Sequence, residues 1–255
     1  MKKVVLKFAN VLSVFWRLIP ISMRTIFFSG MLILDSRQKN AGNGLARLFA
    51  LRDKLDWIIN ERAMIYGGGE HPKHRLIGYH DFFIEHIADG DSVLDVGCGY
   101  GAVSRSIANA YPNSRVMGVD QDKEKLILAR SADNPSNLSF VEADAVISVP
   151  KGPWTAVVLS NVLEHIVDRV EFLKLLQRST SASRFLIRVP LFERDWQMAM
   201  RRELRVDFRS DDDHKIEHTL NEFLFEIYES GMKPLELRSI WGEIWADCRP
   251  NGVMK

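Results

Sequence analysis

Three aspartates, Asp95, Asp120 and Asp144, close three apolar stretches, "SVLDVG", "RVMGVD" and "SFVEAD", at intervals of 25 and 24 residues. Each stretch has the length and β-branched content of a buried strand, so each carboxylate is expected near a strand tip. A carboxylate held there is costly unless something donates to it or neutralises it. Gly97, Gly99 and Gly101 follow Asp95 at alternate positions, ahead of a helical pattern over 102–111. A turn without side chains lets a ligand approach the backbone, and the helix behind it offers unpaired N–H groups. Asp95 suits a ligand ammonium, Asp120 the two hydroxyls of a ribose, and Asp144 the exocyclic amine of an adenine. A fourth stretch, "AVVLSN", ends at Asn161 and runs into Glu164 and His165. An imidazole titrates near neutrality, so His165 can take a proton from an attacking hydroxyl.

These groups need a frame that puts successive strand tips side by side. Strand-like runs at "SVLDVG", "RVMGVD", "SFVEAD", "AVVLSN" and "RFLIRVP" alternate with helix-like runs at 102–111, 122–131, 162–180 and, more faintly, 144–149. That alternation predicts a doubly wound α/β fold, with parallel strands and helices on both faces, and ligands at the carboxyl ends of the strands. A helix "LNEFLFEIYESG" ending at Gly231 precedes two further strands, "PLELRSI" and "EIWADC". Only "WG" separates them, which predicts a hairpin.

The pattern D-x-G-x-G-x-G from Asp95 to Gly101, the strand-end Asp120 and the "EAD" of Asp144 resemble the class I S-adenosylmethionine-dependent methyltransferases. The resemblance covers about 93–190, and the final hairpin is similar to the family's reversed seventh strand. It implies a seven-stranded, mostly parallel sheet of order 3-2-1-4-5-7-6 and S-adenosyl-L-methionine as cofactor. It places Asp95 and the turn Gly97, Cys98, Gly99 and Gly101 along the methionine part, Asp120 and Gln121 at the ribose, and Asp144 and Ala145 at the adenine. Asn161 then stands over the reactive methyl, with Glu164 and His165 opening the next element. The "LEH" of 163–165 is similar to methyltransferases of small molecules, and the Asn-Pro-Pro-Tyr of base amino-methylation is missing, so no nucleic-acid acceptor is expected. A nicotinamide-dependent oxidoreductase is the main rival, because Gly97, Gly99 and Ala102 also satisfy G-x-G-x-x-A. Asp95 and Asp144 favour the sulfonium nucleoside, whereas Asp120 fits both. A non-catalytic adaptor on the same scaffold is a third reading, which the intact set Asp95, Gly97, Gly99, Asp120 and Asp144 argues against.

The flanks carry the acceptor candidates. "GGGEHPKHR" crowds His71, Lys73, His74 and Arg75 ahead of the core, and His74 and Arg75 are candidates for a cofactor carboxylate or an acceptor phosphate. His71 and His74 have a metal-like spacing, but no cysteine or acid pair completes a set, and no metal is expected. The insertion at about 190–219 follows the fifth strand and faces the acceptor side. Arg188, Arg194, Asp195, Trp196, His214 and His218 are its polar and aromatic candidates. A Trp between charged residues suits stacking on a sugar ring. The expected activity is O-methylation of a small-molecule, sugar or lipid-linked acceptor.

The 255 residues carry a net charge of +1 and two distant cysteines, Cys98 and Cys248. Neither a nucleic-acid-binding charge balance nor a disulfide framework is present, which fits a reducing cytoplasm. Residues 1–44 read as an amphipathic helical extension and linker, 45–90 as a helical cap, and 91–255 as the cofactor-binding domain. Residues 1–34 contain Lys2, Lys3, Lys7, Arg17 and Arg24 and no acid. Phe8, Leu12, Phe15 and Ile19 share one helical face, Pro20 ends that helix, and Ser22 is placed to cap a second. No apolar run reaches the roughly 18 residues of a membrane span. Two readings stand for this segment: a cap packed on the core or on a second copy in a homodimer, and an interfacial anchor on a membrane surface.

Overall fold

The computed structural model describes residues 12–68 and 71–252. Of the expected N-terminal face, Phe8 lies outside the described residues. The chain divides into two compact units, one up to Ala63 together with Glu203–Val206, the other comprising the rest from Met64 onward.

The larger unit holds a seven-stranded sheet made of β1 (Ser92–Val96), β2 (Arg115–Asp120), β3 (Leu138–Glu142), β4 (Ala156–Ser160), β5 (Arg184–Pro190), β6 (Met232–Ile240) and β7 (Glu243–Pro250). Their spatial order is β3-β2-β1-β4-β5-β7-β6. The first five strands are parallel, and β7 runs antiparallel between β5 and β6. This is the expected sheet, strand for strand. Burial on both faces explains the unbroken apolar runs. Leu94, Val96, Val157, Leu159 and Ile187 face one side, in a core closed by α7 (Arg169–Thr180) and α9 (Leu220–Glu229). Val93, Val116, Val158 and Leu186 face the other, with α4 (Tyr79–Glu85) and α5 (Ala102–Ala110). The two-residue period of β1 therefore points Asp95 to the α4/α5 side, next to Val93.

The connections follow local chemistry. Asp122 caps α6 (Lys123–Ser131) by accepting from the N–H groups of Glu124 and Lys125. Thr219 and Glu222 form a capping box on α9. The β6–β7 hairpin turns on Trp241 and Gly242, with φ of 56° and 75°, the pair of left-handed residues that a two-residue turn of matching twist demands. Two expected helices come out differently. The 144–149 stretch forms only turns. The single helix expected over 162–180 splits into a 3₁₀ turn, Leu163–His165, and α7. Asn161 takes a positive φ of 58° directly after β4, so the chain leaves the strand through a bend before helix can form. The insertion carries a 3₁₀ turn, Phe192–Arg194, and α8 (Trp196–Glu203). A short α3 (Lys73–Ile77) leads into α4.

The smaller unit is built on α1 (Ile21–Ser36) and most of α2 (Ala41–Tyr66). α1 starts behind Pro20 with no side-chain cap, so Ser22 lies within its first turn and is not its cap. α2 begins inside the expected linker, because Asn40 accepts from the N–H groups of Gly42 and Asn43 and supplies a cap. No residue of α1 is buried. Trp16, Phe27 and Phe28 form an edge-on aromatic cluster with centroids 5.7–6.5 Å apart. Among the described residues no helix is long and apolar enough to cross a membrane.

Candidate active site

Register places the tips of β1, β2 and β4 side by side, with Asp95 opposite Gly118 on one flank and Val158 on the other. Asp95 is 1% exposed. It accepts a hydrogen bond from Ser104 Oγ at 2.5 Å. Burial pushes its carboxyl up to about 7 against opposing hydrogen bonds from the Ser104 hydroxyl and backbone, and the nearby Asp120 charge adds to the rise. At Gly99, φ is +54° and an added Cβ would meet nothing within 4 Å, so the turn is open on that side. Gly101 has φ +74°, and a Cβ there would lie 2.5 Å from the Phe140 ring, which keeps the turn close to β3.

Asp120 accepts from the Gly99 N–H at 2.8 Å and from the Asp122 N–H at 2.8 Å. The β2 tip thereby holds the glycine turn, and each carboxylate oxygen retains a lone pair for a hydroxyl. Gln121 is exposed next to it, and Asp144, two residues past β3, accepts from the Val146 N–H at 2.9 Å. Ala145 is half-buried. Burial drives the Cys98 thiol far above its ordinary value, aided by the charges of Asp95 and Asp120, so it is no nucleophile. The open turn, the under-compensated Asp95 and the hydroxyl-accepting Asp120 fit S-adenosylmethionine.

On the far side of β4 the chain gathers a second group. The Asn161 Oδ1 is buried without a partner. Glu164 is fully buried, neither carboxylate oxygen has a hydrogen bond, and burial pushes it up to about 8. The Lys215 N–H donates to the Glu164 carbonyl oxygen at 2.7 Å, which ties the end of the insertion to the 3₁₀ turn. His214 is thereby brought against His165, with ring centroids 4.7 Å apart. His165 pairs through Nδ1 with Asp213 at 3.1 Å, and His214 through Nδ1 with Glu217 at 2.9 Å. Burial lowers the His165 pKa, and the Asp213 charge only partly offsets it. Burial also opposes a charged His214, but the Glu217 hydrogen bond and the charges of Glu164, Glu217 and Asp211 outweigh it, so its pKa is raised.

Arg188 is 5% exposed, grips Glu243 with two nitrogens, donates to Ser160 Oγ at 3.3 Å, and lies 3.9 Å over the Tyr79 ring. The Tyr79 hydroxyl meets His74 Nδ1 at 2.5 Å, so His74 and Arg188 join one network below the β4 tip. Arg75 is exposed outside it. Arg194 is held by Glu217 and by the carbonyls of Leu191 and Phe208, which makes it a pin for the insertion. Asp195 accepts from the Gln197 N–H at the start of α8, and Trp196 next to it is 68% exposed. His218 is wholly buried, with Nε2 on Glu226 at 3.0 Å, and presents no face to an acceptor. Ser104, Tyr79, Glu217 and Glu243 carry no sequence signal of their own. Glu226 did have one: it falls between Phe223 and Ile227 on the apolar face of α9, where an acid requires a partner.

Fold and glycine turn together are those of the class I S-adenosylmethionine-dependent methyltransferases, and residues 93–182 match the methyltransferase-domain family. The chain is 30% identical over 108 residues to the trans-aconitate 2-methyltransferase of Streptomyces avermitilis, covering 40% of each chain. It is 29% identical over 138 residues to the ribosomal protein L11 methyltransferase of Thermotoga maritima, covering 54% of this chain and 50% of that one. Each match thus spans half or less of the relative's length. The fold is shared with the magnesium protoporphyrin IX methyltransferase of Synechocystis with bound SAH, at 15% identity and a TM-score of 0.53, covering 68% of this chain and 82% of that one. It is also shared with CalO1, a methyltransferase in calicheamicin biosynthesis in its SAH-bound form, at 18% identity and a TM-score of 0.56, covering 78% and 60%.

Proposed function

We propose that the protein transfers a methyl group from S-adenosylmethionine to a hydroxyl of a small-molecule, sugar or lipid-linked acceptor. The observation that carries this reading is the pairing of two polar groups across β4: a glycine turn backed by the under-compensated Asp95, and the Asn161–Glu164–His165 turn backed by His214. The cofactor, when bound, supplies a methyl group on positively charged sulfur. Asp95 binds its ammonium, Asp120 its ribose, and the loop at Asp144 and Ala145 its adenine. An alcohol must shed its proton as it attacks, and the turn at 163–165 with His214 provides acid–base groups at the strand tip for that purpose. The exposed Trp196 offers a ring for stacking on a sugar. The names of the relatives span small-molecule and ribosomal-protein acceptors, so they favour no acceptor class. The test is transfer of labelled methyl from S-adenosylmethionine to cell lipid, glycan and small-molecule fractions. Label in a hydroxyl-bearing fraction, lost in His165→Ala, supports the reading; label recovered only on amines removes the O-methylation.

The smaller unit favours docking on an anionic bilayer surface. Phe15, Ile26, Phe27 and Leu34 are each more than half exposed, and residues 1–34 carry only basic charges. Apolar insertion and attraction to anionic headgroups act together in such segments. Flotation of the full chain with phosphatidylglycerol-containing vesicles, and its loss in an Ile26→Asp/Phe27→Asp variant, checks this; equal flotation of the variant argues for another partner.

A further inference from the structure

Glu164, His165 and His214 place one potential ligand atom each within 4.8 Å of the others. Several observations show that this is more than a chance cluster. The Glu164 side chain is 0% exposed and both of its oxygens lack any hydrogen-bond partner, a costly arrangement for a group aimed at two imidazoles. Both rings use Nδ1 to meet an acid, His165 with Asp213 and His214 with Glu217, which leaves Nε2 of each available. An acid behind a histidine fixes the tautomer and raises the basicity of the other nitrogen, the arrangement that metal-bound histidines show. Backbone bonds from Lys215 and Ile216 to the Glu164 carbonyl hold the two halves of the set together. His165 remains 34% exposed on its side chain, so the set has an entry path and an open side.

We propose that Glu164, His165 and His214 bind a divalent first-row transition-metal ion, with Asp213 and Glu217 orienting the two rings. Two imidazoles and one carboxylate select such an ion over magnesium or calcium, and three protein ligands leave positions for other oxygens. The sequence showed no metal set because its members are 50 residues apart, 164 against 214, and meet only through the returning insertion. The metal site stands without the methyl-transfer reading; its role in catalysis rests on that reading. Glu164 and His165 lie three and four residues after Asn161 at the β4 tip, where, on the methyl-transfer reading, the acceptor presents its oxygen. An ion there ligates the acceptor hydroxyl and lowers its pKa. The hydroxyl proton leaves to water, the O–CH₃ bond forms, and the S–CH₃ bond breaks with its electron pair returning to sulfur. His165 then acts as a ligand and not as the base.

The full chain, stripped with chelator and dialysed, is titrated with Co²⁺ and followed by visible absorption, with bound metal counted by elemental analysis. One ion per chain with imidazole-ligated cobalt bands is expected, abolished in His214→Ala and Glu164→Gln. Glu217→Gln, which keeps every ligand, should weaken binding by about 10–100-fold. His71→Ala should bind like the wild type. S-adenosylhomocysteine affinity, measured on each variant, reports that the fold is intact. Failure of the wild type to bind cobalt stoichiometrically, or undiminished binding in a folded His214→Ala, overturns the site. Cobalt binding without S-adenosylhomocysteine binding keeps the site and removes the methyl-transfer reading instead.

Discussion

The assignment of the cofactor ammonium to Asp95 predicts that affinity depends on pH in a definite direction. Its carboxyl sits at about 7 in the free protein because burial disfavours the charge. The unfolded chain has an ordinary aspartate near pKa ~3.9. The folded form therefore holds a proton that the unfolded form releases. Stability from this group is complete below about pH 4 and declines as pH rises through about 7. A ligand ammonium selects the ionised form. At pH 5 roughly 1% of free chains present the carboxylate, and at pH 7 about half, so association should strengthen by about 50-fold, or ~2.3 kcal/mol. That window lies below the titration of an α-amino group at about 7.7–8.0, so the ligand keeps its charge throughout. Calorimetric titration with S-adenosylhomocysteine at half-unit steps from pH 5 to 7 measures the slope. Asp95→Asn should bind more weakly, lose most of the slope, and flatten the fall in melting temperature of the ligand-free protein over the same range. An affinity that is level across the window in the wild type, or an equal slope in Asp95→Asn, refutes the assignment of the ammonium to this carboxylate.

Asp120→Ala should weaken S-adenosylhomocysteine binding by about 1–3 kcal/mol, the scale of charge-assisted hydrogen bonds; an unchanged calorimetric affinity removes the ribose assignment. Glu226→Ala strips His218 and Arg169 of their buried partner, and denaturant unfolding should show a loss of about 3–5 kcal/mol; a loss below 1 kcal/mol would mean the network is solvated. Gly101→Ala should lower both the melting temperature and cofactor affinity, because the position combines a positive φ with contact to Phe140; wild-type values for both would show that the turn relaxes freely.

The sheet was legible because its signal is local. Each of the five parallel strands is a short apolar run, and the acids at their tips are unusual enough to stand out. The "WG" hairpin was equally plain, since the turn itself dictates two left-handed residues. What stayed hidden depends on long-range return of the chain. Nothing in "LEH" announces a buried, unpartnered Glu164, and nothing in "DDDHKIEHT" separates His214, which comes back to the β4 tip, from His218, which turns inward to Glu226. Side-chain capping accounts for the local misses. Asn40 starts α2 within a stretch that composition alone marks as linker, whereas α1 starts without any side-chain cap.

The interior position of β7 has a consequence for biogenesis. Residues 243–250 are translated after every other strand, yet they fill the slot between β5 and β6. Until they emerge from the ribosome, the hydrogen-bonding edge of β5 stays bare and β6 has no sheet to join. A nascent chain stalled before that point exposes a sticky strand edge, so vectorial folding of this sheet must finish late, and loss of those eight residues would cost two strands at once.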